Sequence, residues 1–207
     1  MILENNKKNI ELLSNEIINK KLIIFPTDTV FGIGCDATNT TAIKQIYKLK
    51  ERNETKTLLL NFPNIKSIEK FAKLTKVEKF LLKNFGTLTL IVKVKKDTPL
   101  SPLTIQNNEI GVRIPNNKTL QTILKKVKTP LISTSCNKSG NPPCITADDA
   151  EKIFPQIPIL QTNETLSGTP STILRIKDKI EILREGSISK ETLQQILKQN
   201  KIDMEII

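Results

Sequence analysis

Hydrophobic residues along this chain follow two alternating spacings, which predict helices and strands in turn. Ile10, Leu13 and Ile17 recur at helical spacing and predict an amphipathic helix over residues 5–20. Short apolar runs predict strands over 22–25, 58–60, 87–94, 110–114, 157–160, 171–176 and 179–183, and another strand beginning at Pro130. Further helices are predicted from Thr40 or Thr41 to about residue 50, around 65–71, from a capping box at Thr75, over 119–127, from Thr146 and from Ser189. This alternation indicates an α/β architecture.

The hydrophobic residues are mostly aliphatic, which supports the same architecture. The chain is 38% hydrophobic but only 4% aromatic, and it contains no tryptophan. Ile, Leu and Val favour sheets that are covered by helices. A length of 207 residues is enough for one sizeable core. We therefore expect a single domain over residues 1–207.

The segment 130–143, with the sequence PLISTSCNKSGNPP, passes from a short apolar strand into a polar loop. It brings the hydroxyls of Ser133 and Ser135 and the amide of Asn137 to the edge of a sheet. Small hydroxyls and amides at the carboxyl end of a strand suit contacts to phosphate, carboxylate or metal. An ordinary strand-to-helix connection has the same composition, so this segment alone leaves both interpretations open.

Charge and missing residue types narrow the classes of function. The 32 Lys and Arg against 21 Asp and Glu give a net charge of +11, which favours polyanionic partners, although solvated helix faces would give the same count. The chain has no histidine, which excludes Ser-His-Asp and Cys-His catalysis and His-ligated zinc. The three cysteines form no CxxC pair and predict reduced, partly buried thiols. With the polar amino terminus MILENNKKN and no membrane-length apolar run, these features predict a cytoplasmic protein.

Other segments carry candidate ligand contacts. The hydroxyl-rich turn 27–29 precedes Gly32 and Gly34, whose spacing allows close backbone approach. Arg113 lies inside a short apolar strand, where a charge is unusual unless it faces a partner. The loop 95–108 contains two prolines and is a candidate lid. The basic residues between 48 and 56, taken alone, favour a solvated helix terminus instead.

Six segments occur in an order and spacing that resemble the YrdC-like family. They are FPTDTVFGIGCDA (25–37), the pair Lys50-x-Arg52, GVRIP (111–115), STSCNKSGNPP (133–143), PSTIL (170–174) and ILREG (182–186). The resemblance spans nearly the whole chain. It implies a twisted, mostly parallel α/β sheet with flanking helices, curved around a basic cavity and similar to dihydroxybutanone-phosphate synthase.

The resemblance also implies an activity that needs no histidine. L-threonine, bicarbonate or CO2, and ATP with Mg²⁺ would be joined into threonylcarbamoyl-AMP, with release of pyrophosphate. Such a nucleotidyl transfer depends mainly on aligning anions and neutralising charge. The product would supply the threonylcarbamoyladenosine modification of tRNA. The implied partners are the substrates, an RNA or tRNA contact and downstream threonylcarbamoyl-transfer proteins, with no membrane.

The matched motif positions imply roles for individual residues. The implied catalytic pair is Lys50 and Arg52. The implied ATP ligands are Arg52, Lys56, Ser135, Asn137 and Arg184. The implied threonine ligands are Thr29, Asn61, Arg113, Ser133 and Ser171, with Arg113 pairing with the carboxylate. No metal is expected to be held by the protein alone, because Mg²⁺ would be carried by ATP near Ser135 and Asn137.

The sequence departs from the family pattern in several places. The run Lys50-Glu51-Arg52-Asn53 stands where the family often has KGRP, and Asn61 stands where many relatives have histidine. Residues 84–87 replace a tryptophan-containing turn. These departures keep a second hypothesis open, a non-catalytic RNA-binding or ribosome-associated protein that uses the same basic concavity. One tyrosine and no tryptophan leave few side chains to stack on bases, which disfavours it.

Overall fold

The computed structural model describes residues 1–56 and 58–207, which fold into helices packed on a single sheet. The strands are β1 Ile2–Leu3, β2 Ile23–Pro26, β3 Phe31–Asp36, β4 Leu59–Asn61, β5 Leu88–Lys93, β6 Glu109–Arg113, β7 Leu131–Ser135, β8 Ile159–Leu160, β9 Thr172–Ile176 and β10 Ile180–Arg184. The helices are α1 Lys7–Ile18, α2 Thr40–Lys50, α3 Ile65–Ile68, α4 Lys76–Asn84, α5 Lys118–Val127, α6 Ala147–Ile153 and α7 Lys190–Gln199. A short 3₁₀ turn spans Pro102–Thr104 inside the loop 95–108. The predicted elements are therefore found with small shifts at their ends, while β1 and β3 had not been predicted as strands.

Side-chain caps explain where most helices begin. Thr75 accepts a hydrogen bond from the backbone of Glu78, whose carboxylate accepts one from the backbone of Thr75, so the predicted capping box is confirmed. Thr146 caps α6, as predicted. The cap of α2 is Asn39, not Thr40 or Thr41, because the Asn39 side chain accepts from the third residue along the helix. Asparagine is as good a cap as threonine, and the threonines are already helical.

The sheet contains ten strands in the order β1-β8-β2-β3-β7-β4-β6-β5-β9-β10. Four neighbouring pairs are parallel and five are antiparallel. The expected α/β architecture with flanking helices is confirmed, and its sheet is more evenly mixed than expected. The reason lies in short connections such as 27–30 between β2 and β3, since parallel neighbours need a longer crossover.

The two faces of the sheet are covered to different extents. The larger core fills one face, where α2, α4, α6 and α7 pack on side chains such as Ile33, Leu60 and Val112. A smaller core covers only part of the other face, where α1 and α5 pack over Phe25 and Leu131. All three cysteines are buried, and all three belong to the larger core. The uncovered part of the second face is left for the candidate site.

Two glycines of β3 allow the close packing around this face. A Cβ on Gly34 would lie 2.1 Å from the carbonyl oxygen of Ile132, and one on Gly32 would lie 2.7 Å from the hydroxyl of Ser133. The Phe25 ring also lies against both glycines. The glycine spacing predicted a close approach of the β3 backbone to a ligand. In the structure, part of this space is used by the neighbouring strand β7.

Among the residues that the structure describes, no helix is both long enough and apolar enough to cross a membrane.

Candidate active site

A cavity of about 340 Å³ opens on the uncovered part of the sheet. Its floor comes from alternate positions of neighbouring strands, because successive side chains of a strand point to opposite faces. Strand β6 contributes Gly111 and Arg113, and β7 contributes Ser133 and Ser135. Pairing of Leu59 with Ser133 and of Asn61 with Arg113 fixes their register across β4. The sheet therefore brings together side chains that are far apart in sequence.

Seven of the eleven residues predicted for the site line this cavity, namely Thr29, Arg52, Arg113, Ser133, Ser135, Ser171 and Arg184. The other four, Lys50, Lys56, Asn61 and Asn137, are not among its lining residues. The roles of all eleven remain predictions, but their positions divide them into a lining group and a supporting group.

Arg113 is a buried cation with a built-in counter-ion. Its Nη2 forms an ion pair with Oδ1 of Asp28, and its Nε donates to the carbonyl oxygen of Gly86 at 2.6 Å. Asp28 also accepts a hydrogen bond from the backbone of Asn116 at 3.3 Å. Burial lowers the pKa of Arg113, and Asp28 opposes this shift. Because Nε and Nη2 are engaged by Gly86 and Asp28, Nη1 is the nitrogen of this lining residue left for a ligand, with no acceptor among the described residues.

Two further arginines reach the same cavity. Arg184 donates to the carbonyl oxygen of Ser171 at 2.7 Å through Nη2, which fixes the guanidinium at the end of β10. Burial lowers the pKa of Arg184, and the charges of Arg113 and Arg52 lower it further. Arg52 donates through Nε to the carbonyl oxygen of Lys56 at 3.3 Å, and burial lowers its pKa also. Burial and the two neighbouring cations make the charged form of Arg184 costly, and an anion bound in the cavity would offset that cost.

Hydroxyl groups lie between the arginines. Thr29 exchanges a hydrogen bond with the hydroxyl of Thr27 at 2.9 Å, and Ser171 exchanges one with Thr89 at 2.8 Å. The Thr27 hydroxyl also accepts from the backbone of Val30, so the turn 27–30 is held by its own side chain. Ser133 lies against Gly32, where the missing side chain leaves room for its hydroxyl. These groups provide neutral hydrogen-bonding partners beside the cationic ones.

Lys50 lies behind the cavity and is hydrogen-bonded to the end of β7. It is only 1% exposed, and its Nζ donates to the carbonyl oxygens of Ser135 and Asn137 and, at 2.9 Å, to Oδ1 of Asn137. Ser135 donates its hydroxyl to the same Oδ1 at 2.6 Å, and Asn137 donates to the carbonyl of Asn141. Burial, helped by the charge of Arg52, lowers the pKa of Lys50 to about 8. The solvated helix terminus that the local sequence favoured is therefore wrong for Lys50.

The remaining two predicted residues lie at the margin of the site. Lys56 has an exposed side chain, and its backbone carbonyl accepts from the Tyr47 hydroxyl at 3.1 Å as well as from Arg52. Asn61 is buried beside Arg113 in the sheet and donates to the carbonyl of Leu131 at 3.4 Å.

Several lining or supporting residues were missed by the sequence analysis. Asp28 stands in the recognised segment 25–37, but nothing in the sequence showed that it pairs with a residue 85 positions away. Arg175 and Glu109 face each other across the outer end of the cavity at 3.1 Å. Gln106 and Asn107 bring the loop 95–108 to the cavity, and its role as a lid stays a prediction.

The donor set suits an anion better than a bare metal ion. Among the described residues that line the cavity there is one carboxylate, that of Glu109, and it pairs with Arg175. Around Ser135 and Asn137, the Lys50 ammonium already occupies the amide oxygen that a cation would need. Among the described residues, no group of three or more Cys, Asp or Glu side chains could hold a metal. A divalent ion here would fit only as a companion of a bound polyphosphate.

Comparisons with known proteins identify the fold family. The Sua5/YciO/YrdC family model, described as telomere recombination, matches residues 16–186. The chain belongs to the Sua5/YciO/YrdC family. The resemblance drawn from the sequence motifs is thereby confirmed.

Relatives within the Sua5/YciO/YrdC family span most of the chain. A Methanocaldococcus jannaschii protein, provisionally named a threonylcarbamoyl-AMP synthase, is 34% identical over 92% of this chain and 91% of its own length. The Bacillus subtilis threonylcarbamoyl-AMP synthase is 30% identical over 88% of this chain and 55% of its own length. The P. abyssi Sua5 structure with L-threonine covers 100% of this chain at a TM-score of 0.90 and 24% identity, and the chain spans 62% of that protein.

Proposed function

We propose that this protein is an enzyme, an L-threonylcarbamoyladenylate synthase that forms threonylcarbamoyl-AMP and pyrophosphate from L-threonine, bicarbonate or CO2, and ATP. The observation that carries the proposal is the convergence of Arg52, Arg113 and Arg184 on one hydroxyl-lined cavity. The reaction requires a carboxylate and a triphosphate to bind side by side, and a site with several cations offsets the repulsion between these two anions. Relatives named for this activity support the assignment.

The amino-acid end of the site would be organised by Arg113. Arg113 lines the cavity, and its Nε and Nη2 are held by the carbonyl oxygen of Gly86 and the carboxylate of Asp28. A guanidinium fixed in this way can bind the threonine carboxylate without first losing side-chain freedom. Ser133, Thr29 and Ser171 would contact the remaining polar groups of the amino acid.

The nucleotide end would be organised by Arg52, Arg184 and the end of β7. The amine of threonine and bicarbonate first form a carbamate with loss of water. An oxygen of this carbamate group, not of the threonine carboxylate, then attacks the α-phosphorus of ATP. The new phosphorus–oxygen bond replaces the bond to the β-phosphate, whose electrons leave with pyrophosphate. Arginines fixed near these oxygens would offset the developing charge.

Lys50 would act as a positioning residue rather than by touching substrate. Its ammonium holds the backbone of Ser135 and Asn137, the turn that would contact phosphates. Mg²⁺ bound to the triphosphate would neutralise part of the charge on the leaving group. The ATP requirement agrees with a cytoplasmic location.

The direct test is threonine-dependent release of pyrophosphate from ATP by the purified protein with Mg²⁺ and bicarbonate. Threonylcarbamoyl-AMP should appear by mass spectrometry in equal amount. Arg113→Ala should abolish the threonine dependence, whereas Lys138→Gln, at an exposed ion pair with Glu51, should leave it unchanged. Pyrophosphate release that is the same with and without threonine would refute the proposal.

The product would then serve modification of tRNA through downstream transfer proteins. A non-catalytic RNA-binding protein using the same concavity is the competing hypothesis. It requires RNA binding that weakens steeply with salt and is unaffected by Arg113→Ala, together with no affinity for ATP.

A further inference from the structure

The hydroxyl of Ser171, a lining residue of the cavity, has a fully buried neighbour that the proposed mechanism does not use. Thr89 of β5 is 0% exposed, and its hydroxyl lies 2.8 Å from that of Ser171. Thr89 pairs with Ile173 of β9 and lies beside Gly111 of β6, so it stands beneath the cavity without lining it. A hydroxyl at this depth calls for a role, since valine would fill the same space without burying a polar group.

Hydrogen-bond counting fixes the direction of the bond between the two hydroxyls. Arginine can only donate, and Nη2 of Arg184 donates to the Ser171 hydroxyl at 3.3 Å. The Thr89 hydroxyl has no other hydrogen-bond partner among the described residues, so its proton is satisfied only by donation to Ser171. A fully buried proton left without an acceptor is unfavourable. Thr89 is therefore the donor and Ser171 the acceptor.

The same count leaves the Ser171 proton for the cavity. A hydroxyl has one proton and two acceptor lone pairs. Thr89 and Arg184 occupy both lone pairs of Ser171, and no described residue accepts the Ser171 proton. Because Ser171 lines the cavity, this proton is directed toward an oxygen of whatever molecule is bound there.

We propose that Thr89 is a positioning residue that makes Ser171 a hydrogen-bond donor to an acceptor oxygen of the amino-acid substrate. This inference rests on the proposed function, because it takes Ser171 as a contact of that substrate. A hydroxyl that accepts hydrogen bonds is polarised into a stronger donor, and one oriented before binding loses less freedom when the ligand arrives. Arg184 is held separately by the carbonyl oxygen of Ser171, so the nucleotide end should depend less on Thr89.

The test separates the hydroxyl of Thr89 from its methyl group. Thr89→Val keeps the shape and removes the hydroxyl, whereas Thr89→Ser keeps the hydroxyl and removes the methyl group. Thr119→Val is the matched control, because the Thr119 hydroxyl accepts from Asn5 at 3.0 Å and its residue is buried outside the cavity. Isothermal titration calorimetry measures the affinity for L-threonine, with and without a non-hydrolysable ATP analogue. Pyrophosphate release gives both KM values, and thermal unfolding confirms that each variant is folded.

Thr89→Val should weaken threonine binding and raise the threonine KM by about five- to tenfold, while kcat and the ATP KM change by less than about threefold. Thr89→Ser should restore the threonine KM to within about twofold of the wild type, and Thr119→Val should stay in the same range. Added to Ser171→Ala, Thr89→Val should change the threonine KM by less than about twofold, because Thr89 acts through Ser171.

Failure of this inference and failure of the proposed function give different results. Unchanged threonine affinity in Thr89→Val, in a wild type that binds threonine, would overturn this inference alone. A greater loss in Thr89→Ser than in Thr89→Val would also overturn it, since the methyl group would then matter through packing. An undiminished effect of Thr89→Val in the Ser171→Ala background would do the same. A wild-type protein that binds no L-threonine would overturn the proposed function and, with it, this inference.

Discussion

Two buried cations of the site, Arg113 and Lys50, are held in opposite ways. Arg113 faces the carboxylate of Asp28 and keeps one edge toward the cavity. Lys50 lies behind the cavity and is surrounded by carbonyl and amide oxygens of Ser135 and Asn137. Burial, together with the charge of Arg52, lowers the pKa of Lys50 to about 8, because the surrounding dipoles compensate a buried charge less completely than a full counter-charge does. Arg113, which has a counter-ion and lines the cavity, is suited to binding a ligand. Lys50, which lies among carbonyl oxygens, is suited to fixing the conformation of a loop.

The largest effect is expected for Arg113→Ala. This variant leaves the half-buried Asp28 carboxylate without its arginine partner, so the free energy of unfolding should fall by about 3 kcal/mol. Threonine-dependent activity should fall by about 100-fold or more, measured as kcat/KM for threonine. The double variant Arg113→Ala with Asp28→Asn removes the unpaired charge and should recover most of the stability without the activity. Activity that returned together with stability would make Arg113 a purely structural residue.

A smaller effect is expected for Lys50→Met. Methionine fills similar space but removes the Lys50 donor from the carbonyl oxygens of Ser135 and Asn137, so the free energy of unfolding should fall by about 1 to 3 kcal/mol. Disorder at the end of β7 should raise the KM for ATP about tenfold while the KM for threonine changes little. Denaturant unfolding and steady-state kinetics measure the two quantities. A larger rise in the threonine KM than in the ATP KM would contradict the assignment of Lys50 to the nucleotide end of the site.

The pH dependence of activity and of stability should distinguish the role of Lys50 from that of Arg113. Activity should fall as the pH rises through about 8, because Lys50 loses its charge there while Arg113 stays protonated. In Lys50→Arg this decline should move to much higher pH. Since the native pKa of Lys50 lies below its ordinary 10.5, the charged amine is less favourable in the folded protein than a neutral amine with the same hydrogen bonds would be. Stability relative to Lys50→Met should therefore rise between about pH 8 and 10.5, by at most about 1.4 kcal/mol per unit.

The smallest effect is expected for Lys138→Gln. Lys138 pairs with Glu51 at 2.7 Å, but both side chains are well exposed to water. Solvent screening limits such a pair to about 0.5 kcal/mol or less. Thermal unfolding of this variant measures the effect of removing an exposed lysine charge on stability. Comparison with Lys50→Met then shows how much of the stability lost in that variant comes from burial. A loss comparable to that of Lys50→Met would show that charge, rather than burial, controls the effect.

Local patterns predicted most elements and the residue types of the site. Helical spacing and caps are local properties, so the capping box at Thr75 and the helix over Lys118–Val127 followed from short segments. The hydroxyls of Ser133 and Ser135 were recognisable because they follow an apolar run at a strand end. Strand β3 was not predicted, since its glycines resemble a loop until the approach of Ile132 explains them.

The sequence by itself determined the α/β class, the family motifs and the absence of imidazole chemistry, because these depend on composition and short-range order. Only the tertiary structure decided which cations face the cavity. The register of β4, β6 and β7 points Arg113 into the open face, and the packing of α2 places Lys50 beneath Ser135. Long-range contacts such as Asp28 with Arg113 depend on the whole sheet, and no local pattern encodes them.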